Sequence, residues 1–204
     1  GGANGCTLHY VENRDELKDG DLLLIDAGCE LDYYASDITR TFPVNGRFSP
    51  EQRAVYEIVL EAQLAAIEKT VKGNHWNDPH DAAVRVITKG LRDLGLLKGT
   101  LPTLIKDGAY RPFYMHRTGH WIGIDVHDVG DYKVGDEWRV LETGMVTTVE
   151  PGIYIPNKRN IPKAFRNTGI RIEDDVAITN KGPDVLSKGL AKDPDDIEAL
   201  MNAA

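Results

Sequence analysis

The chain has 204 residues, 41% of them hydrophobic and 27% charged, and its formal net charge is −8. This size and composition are typical of one globular domain with a sizeable core. A nucleic-acid-binding surface would need clustered lysine and arginine, which the negative charge argues against. No apolar run approaches the ~18 residues of a membrane-crossing helix. We therefore expect a domain that binds neither nucleic acid nor membrane.

The cysteine content indicates a reducing compartment. Only Cys6 and Cys29 occur, and two cysteines in a chain of this size favour free thiols over a disulfide. On this ground we expect a cytoplasmic protein. We interpret Cys29 as a small core residue, because its acidic neighbourhood would not activate a thiol.

The first elements in chain order are a strand pair and two helices. Residues 21–29 predict a buried strand, because four apolar residues follow one another there. A return strand is expected to end at Pro43. A helix is predicted over about residues 50–72, since Ser49 begins a capping box with proline at the first helical position. A second helix is predicted over about residues 78–95.

The second half of the chain predicts another hairpin. Residues 144–155 and 169–178 have the apolar, β-branched character of strands. A short helix should begin after Asp193, with Leu200 and Met201 among its inward-facing residues.

The chain contains an internal repeat that carries acidic residues. Residues 20–28 and 144–152 look like copies of each other. In both, a glycine starts a short apolar run, a carboxylate closes that run six residues later, and a second glycine follows two residues further on. A further carboxylate follows each copy. The four carboxylates are Asp26 and Asp37 in the first half, and Glu150 and Glu173 in the second.

Each of these carboxylates also has an ordinary interpretation. Asp26 could cap or turn the chain, Asp37 and Glu150 could be turn residues, and Glu173 could form an ion pair with Arg171. Their duplicated setting instead favours two hairpins that face each other around metal ions. If the halves are structural copies, two further helices should precede the first hairpin, so we expect the chain to be part of a longer protein.

A histidine-rich segment lies between the two hairpins. His116, His120 and His127 are three of the six histidines in the chain. A single histidine here would more often be a core or surface residue, but three among glycines and apolar residues favour a site. One of them suffices as a metal ligand. The others would serve in proton transfer or in hydrogen bonds to a developing oxyanion.

Four carboxylates and one imidazole form a hard, oxygen-rich ligand set. Such a set suits Mn²⁺, Fe²⁺, Co²⁺ or Zn²⁺ better than Cu(I) or an iron–sulfur cluster. Two divalent ions would balance the carboxylate charge better than one. Tyr154 and Arg171 lie beside the glutamates. They could be a core residue and a surface ion-pair partner, or they could hold the ligands in place.

Five segments of the chain resemble one enzyme family. The chain is similar from residue 4 to 201 to the C-terminal catalytic domain of the Xaa-Pro aminopeptidase (aminopeptidase P) family, in the pita-bread metallopeptidase group. The resemblance implies an α+β pita-bread fold, a pseudo-twofold repeat of helices packed on a curved antiparallel sheet. It also implies one catalytic domain over residues 1–204, truncated before its opening helices and N-terminal domain. The most specific segments are residues 25–30, 36–46, 119–130, 148–154 and 169–175.

The resemblance also implies roles for individual residues and two bound divalent ions, most often Mn²⁺. The implied metal ligands are Asp26 on one ion, Asp37 and Glu173 as bridges, and His120 and Glu150 on the other ion. The implied substrate-binding residues are His9, His116, His127 and Arg171. The implied catalytic residues are His116, His127 and Glu150, and Glu150 would carry a proton to the proline nitrogen.

The implied reaction is release of the N-terminal residue from peptides with proline in the second position, by attack of a metal-bridging hydroxide. The implied partners are such peptides and further copies of the chain, in a dimer or tetramer. A prolidase acting on Xaa-Pro dipeptides would use the same ligands, and methionine aminopeptidase fits the segments less well. A non-catalytic pita-bread binding module is the alternative from another class.

Overall fold

Antiparallel strand pairs and helices alternate along the chain in this computed structural model, which describes residues 1–203. Over those residues it contains four α-helices, eleven β-strands and two short 3-10 helices, Gly2–Cys6 and Lys163–Phe165. The α-helices are α1 (Pro50–Lys69), α2 (Asp78–Asp93), α3 (Leu101–Lys106) and α4 (Pro194–Asn202). The strands are β1 (Leu22–Ala27), β2 (Glu30–Leu31), β3 (Tyr34–Ala35), β4 (Ile38–Pro43), β5 (Lys133–Val134), β6 (Glu137–Trp138), β7 (Val146–Val149), β8 (Gly152–Ile155), β9 (Thr168–Arg171), β10 (Asp174–Thr179) and β11 (Gly182–Val185).

The strands form two larger units that correspond to the two copies of the sequence repeat. In the first unit β1 pairs with β4, and the β2–β3 hairpin lies between them in the chain. In the second unit β7 pairs with β10, which also pairs with β11, and the β8–β9 hairpin lies between them. All these pairings are antiparallel, so the predicted α+β class is confirmed.

Matching positions in the two units have matching geometry. Gly20 and Gly144 both adopt a positive φ, +88° and +93°, at the turn before the first strand of each unit, β1 or β7. A residue with a side chain would be strained in this conformation. Asp37 and Glu173 each lie immediately before the strand that pairs with this first strand, β4 or β10. The repeat inferred from the sequence is therefore present in the backbone. The two long strands predicted in the second half are each divided in two, with breaks beside Glu150 and Glu173.

The two long helices pack on each other and cover one side of the strands. The predicted capping box at the start of α1 is confirmed, because Ser49 Oγ accepts from the Gln52 amide and Gln52 Oε1 accepts from the Ser49 amide. Gly95, just after α2, has φ +75°. Among residues 1–203, no helix has the length and apolar character needed to cross a membrane. The fully buried helix residues of this core are Val55, Tyr56, Val59, Ala62, Ala66, Ala83, Ile87 and Leu91.

Three expectations about burial are wrong. In β1 only Leu22 is buried and Ile25 is 44% exposed, because β1 pairs within residues 1–203 with β4 alone. Cys29 is exposed rather than part of the core, as is most of the β2–β3 hairpin that follows it. In α4 the predicted inward face is buried only at its start: Leu200 and Met201 are 62% and 38% exposed, while Ile197 is buried.

A buried aspartate ties the strands to the helices. Asp174 has no exposed surface. Its Oδ1 accepts hydrogen bonds from Arg40 Nη2 (2.7 Å) and Ser187 Oγ (2.6 Å), and its Oδ2 accepts from Gln63 Nε2 (2.7 Å) and Lys192 Nζ (2.6 Å). Burial alone would raise the pKa of Asp174, but the hydrogen bonds and the charge of Arg40 lower it. The carboxylate is therefore fully compensated.

We expect Asp174→Asn to lower the free energy of unfolding by ~3–5 kcal/mol, because it leaves the buried guanidinium of Arg40 without its counter-ion. Chemical denaturation measures the difference. The matched control is Asp184→Asn, whose ion pair with Lys188 is exposed and should change stability within measurement error. Equal effects of the two substitutions would contradict the role given to Asp174.

Candidate metal centre

The two strand units and the histidine-rich segment enclose one cleft of about 450 Å³. This volume is within the range of small-ligand sites. All nine site residues expected from the sequence line this cleft, although they come from distant parts of the chain. They are His9, Asp26, Asp37, His116, His120, His127, Glu150, Arg171 and Glu173.

Six of these residues form three overlapping groups with the spacing of metal ligands. Within each group the ligand atoms lie within 4.8 Å of one another. Two of the groups share Glu173 and otherwise divide the ligands between them, which is the pattern expected for two neighbouring ions. The groups are Asp26, Asp37 and Glu173; His120, Glu150 and Glu173; and Asp37, His120 and His127.

The ring of His120 is oriented by the backbone. Its Nδ1 lies 2.9 Å from the carbonyl oxygen of Trp121, so Nδ1 carries the proton and donates. Nε2 faces the acidic cluster, 3.4 Å from Asp37 Oδ2 and 3.6 Å from Glu150 Oε1, and presents its lone pair there when the ring is neutral. The preceding Gly119 cannot carry a side chain, because a Cβ there would lie 2.0 Å from the carbonyl oxygen of Thr148.

Arg171 holds three parts of the cluster together. Its guanidinium is only 4% exposed. Nη2 donates to Asp26 Oδ2, Nη1 donates to the Tyr154 hydroxyl at 2.9 Å, and Nε donates to Thr39 Oγ1 at 3.2 Å. Thr39 in turn donates to Glu173 Oε2 at 2.6 Å. Arg171 thus links both copies of the repeat through hydrogen bonds.

His116 lies at the end of this network. Tyr154 accepts from Arg171 and donates to His116 Nε2, 2.9 Å away. The Nδ1 of His116 donates to the carbonyl oxygen of Arg117 at 2.7 Å. Burial lowers the pKa of His116 to about 4, so the ring is neutral. Both ring nitrogens are engaged, and a substrate would contact His116 by displacing its bond to Tyr154.

The other two histidines are exposed at the cleft. His9 lies on the lining beside Leu8. His127 packs on His120, with ring centroids 3.9 Å apart and planes tilted by 31°. Burial and the neighbouring His120 lower the pKa of His127. Both side chains are therefore accessible to a molecule in the cleft.

Without an ion, the carboxylates cannot all be charged at once. Burial, followed by repulsion from Glu150 and Asp37, raises the pKa of Glu173 well above its usual value. Burial raises the pKa of Glu150 to about 7 and also raises that of Asp26. Burial acts in the same direction on Asp37, but the hydrogen bonds from His120 and Asp26 and the charges of His120 and His127 together outweigh it and lower its pKa.

These residues fit divalent ions on two observations of this structure. The Oε1 atom of Glu173 is buried and has no hydrogen-bond partner among residues 1–203. A buried carboxylate oxygen in that position is costly unless a cation compensates it. The set of carboxylate oxygens and one imidazole nitrogen is also the donor chemistry that Mn²⁺, Fe²⁺, Co²⁺ and Zn²⁺ accept.

Sequence reasoning missed Thr39, which lies behind the cleft and bonds to Glu173, and several residues of the lining. Thr39 could have been found, because it lies two residues after Asp37 and so on the same face of β4. The residues Trp76, Arg117, Tyr132 and Trp138 also line the cleft. They belong to loops and to the short β5–β6 hairpin, whose positions depend on long-range packing, and no local pattern marks them.

The chain matches known proteins over nearly its whole length. Its residues 1–180 match Metallopeptidase family M24. It is 55% identical to the Xaa-Pro aminopeptidase of Haemophilus influenzae, over 99% of this chain and 47% of that protein. It is 42% identical to Xaa-Pro aminopeptidase 3 of Homo sapiens, over 100% of this chain and 40% of that protein.

Solved structures give the same result. Aminopeptidase PepP of Pseudomonas aeruginosa superposes with a TM-score of 0.98 at 62% identity, over 99% of this chain and 46% of that chain. Proline aminopeptidase P II from Yersinia pestis superposes with a TM-score of 0.96 at 55% identity, over 100% and 47%. The chain thus spans about half the length of the relatives it matches. It has the α+β pita-bread fold and belongs to metallopeptidase family M24.

Proposed function

We propose that residues 1–204 form the catalytic domain of a metal-dependent exopeptidase that releases the N-terminal residue from peptides with proline in the second position. The observation that best supports this proposal is that four carboxylates, two from each repeat copy, meet His120 in one cleft. The names of the relatives at 55% and 42% identity support the same substrate class.

The proposed cofactor is a pair of divalent ions, with Mn²⁺ as the resident metal and Co²⁺, Zn²⁺ or Fe²⁺ as ions that the same donors accept. When bound, such ions lower the pKa of water and polarise a carbonyl oxygen. The proposed ligands are Asp26, Asp37, His120, Glu150 and Glu173.

The acidic cluster and Arg171 have separate tasks in this proposal. The carboxylates would hold the two ions and balance their charge. Glu150 receives a proton from the attacking water and delivers it to the proline nitrogen, which cannot leave unprotonated. Its Oε1 faces His120 at 3.6 Å and its Oε2 faces Arg171 at 4.0 Å. The carboxylate is therefore held between an imidazole and a guanidinium while it transfers the proton. The main task of Arg171 is to orient Asp26 through their ion pair, and its contact with the substrate is peripheral.

The proposed substrate contacts come from the three histidines outside the ligand set. His127 is exposed beside His120 and can donate a hydrogen bond to the oxygen that becomes negative during attack. His116 positions the peptide after giving up its bond to Tyr154. His9 approaches from the N-terminal segment and completes the wall of the cleft.

We further propose a cytoplasmic protein that forms a dimer or tetramer when intact. Cys6 and Cys29 are both free thiols, as expected for a reducing compartment. Ile124 and Val129 are 71% and 86% exposed, and contact between copies would remove such side chains from water. Light scattering of the intact protein tests the assembly.

The first experiment measures metal content and peptide cleavage on the intact protein. We expect two divalent ions per chain and Mn²⁺-dependent release of the first residue from an Xaa-Pro-Xaa peptide. Asp37→Asn should abolish both, because a neutral amide cannot replace a carboxylate between two ions. The matched control is Asp125→Asn, an exposed acidic residue on a loop, which should change neither quantity.

The outcomes separate the competing functions. Cleavage of Xaa-Pro dipeptides without cleavage of longer peptides would indicate a prolidase. Absence of both metal and turnover would indicate a non-catalytic binding module. Full activity of Asp37→Asn would refute its proposed role as a ligand.

A second substitution distinguishes a ligand from a substrate contact. We expect His127→Ala to retain both ions and to lower kcat by about 10²-fold, the usual cost of losing a hydrogen bond to a developing oxyanion. Elemental analysis and steady-state kinetics give the two quantities. Loss of an ion would instead place His127 in the ligand group that it forms with Asp37 and His120.

The third test uses the stability of the metal-free protein. The pKa of Glu150 is about 7 in the folded protein against an ordinary value of 4.5. A carboxyl group with a raised pKa stabilises the fold below its unfolded pKa and loses that contribution as the pH rises through its folded pKa. We therefore expect Glu150→Gln to match the metal-free wild type at pH 4.5 and to exceed its free energy of unfolding by up to about 3 kcal/mol above pH 7.

Buried histidines with lowered pKa values change stability in the opposite direction, so the difference between variant and wild type is the quantity to measure, by denaturation at several pH values. Saturating Mn²⁺ should reverse the sign of the difference, because the glutamine cannot bind the ion as a carboxylate does. A difference that does not change with pH would contradict the raised pKa.

A further inference from the structure

One basic side chain that lines the cleft has no carboxylate partner within residues 1–203. Two arginines line the cleft, Arg117 and Arg171. Arg171 forms its ion pair with Asp26. Within residues 1–203, the side-chain hydrogen bonding of Arg117 is limited to Nη2, which donates to Oδ1 of Asn77. The remaining N–H groups of Arg117 are therefore available to a molecule in the cleft.

The position of Arg117 is set by its neighbours. It lies between His116 and His120 in the chain, and its carbonyl oxygen accepts from His116 Nδ1. Its Cζ atom lies 4.9 Å from the centroid of the Trp138 ring, within the range of a cation–π contact. The amide of Asn77 holds the guanidinium at its other side. Arg117 is thus fixed in direction, which reduces the entropy cost of binding an anion.

The lining of the cleft contains both acidic and basic side chains. The acidic cluster, with the ions proposed there, is where the scissile bond of a peptide would lie. In an exopeptidase that removes the first residue, the rest of the peptide must extend away from this cluster. A carboxylate on that remainder needs a cation, and Arg117 is the arginine of the lining that is not already paired with an acid.

We propose that Arg117, backed by Trp138, forms a carboxylate-binding subsite for the part of the peptide that follows the scissile bond. The inference rests on the proposed function and adds a preference within its substrates. A planar guanidinium binds a carboxylate through two parallel hydrogen bonds. The carboxylate is either the C-terminus of a short peptide or an acidic side chain, and the two share this chemistry.

The test compares peptides that differ only in that charge, on the intact, Mn²⁺-loaded protein. The first pair is Ala-Pro-Ala with a free C-terminus and the same peptide as its amide. The second pair is the amides of Ala-Pro-Glu and Ala-Pro-Gln. We expect kcat/KM to favour the charged member of at least one pair by about tenfold, the size of one charge-assisted hydrogen-bond interaction. The pair that shows the preference identifies the source of the carboxylate.

Substitutions assign the preference to a residue. Arg117→Gln should reduce the ratio of kcat/KM for charged over neutral peptide to about one. Arg117→Lys should retain part of this preference, since lysine keeps the positive charge but lacks the planar guanidinium that donates two parallel hydrogen bonds. The matched control is Lys133→Gln. Lys133 lies over the same Trp138 ring, 4.6 Å from its centroid, but does not line the cleft, so this variant should keep the wild-type ratio. A wild-type ratio near one, or a ratio that Arg117→Gln leaves unchanged, overturns the proposal.

A binding measurement separates this proposal from the proposed function. If no peptide is cleaved, the proposed function fails, and calorimetric titration of the same peptide pairs decides the subsite alone. A roughly tenfold tighter binding of the charged peptide that disappears in Arg117→Gln supports the subsite without turnover. Equal affinities of charged and neutral peptides overturn it.

Discussion

The crowding of four carboxylates into one cleft, where desolvation and mutual repulsion disfavour their charged forms, is the constraint on which the rest of this structure depends. Asp37 and Glu173 are buried, Glu150 is partly buried, and Asp26 lies at the exposed edge of the same cleft. The pKa values of three of them rise as a result. The protein balances only part of this charge, through Arg171 and through the hydroxyl of Thr39. The remainder must be met by protons or by cations, and that incomplete compensation distinguishes a binding site from a structural ion pair.

Glu173 and Asp174 show the two outcomes on adjacent residues. Successive side chains of an extended strand point to opposite faces. Asp174 faces α1 and receives four hydrogen bonds, two of them from Arg40 and Lys192, and its pKa is lowered. Glu173 faces the cleft, where one of its oxygens has no partner within residues 1–203, and its pKa is raised. Two equally buried carboxylates therefore have different roles. Asp174 stabilises the packing of the strands on the helices, and Glu173 is left ready to bind a proton or a cation.

Much of this arrangement follows from local sequence. The capping box at Ser49, the glycine turns and the duplicated carboxylates depend on residues close together in the chain, and the structure has them where the sequence predicts them. The nine expected site residues all reach one cleft, and for the four carboxylates this follows from the repeat, which fixes which strand ends meet. The resemblance to a known family added assignments for the histidines that spacing alone left open.

The errors and omissions concern contacts between distant segments. The exposure of Cys29 and Leu200 depends on which neighbours cover a hairpin or the end of a helix, and apolar pattern does not contain that information. Trp138 reaches the cleft from a hairpin of two-residue strands, and Arg117 is oriented by Asn77 and Trp138. Such side chains acquire their position only when loops from different parts of the chain pack together.

The division of the cluster between the two repeat copies has a consequence for folding. Each copy supplies two carboxylates, which alone would form an exposed pair with little reason to hold an ion. The complete set exists only after β4 and β10 have docked, when Arg40 spans their backbones by donating to the carbonyl oxygens of Thr39 and Glu173. A divalent ion held by the complete set would therefore bind only after the two halves have docked, and its binding would stabilise correctly joined halves over separated ones.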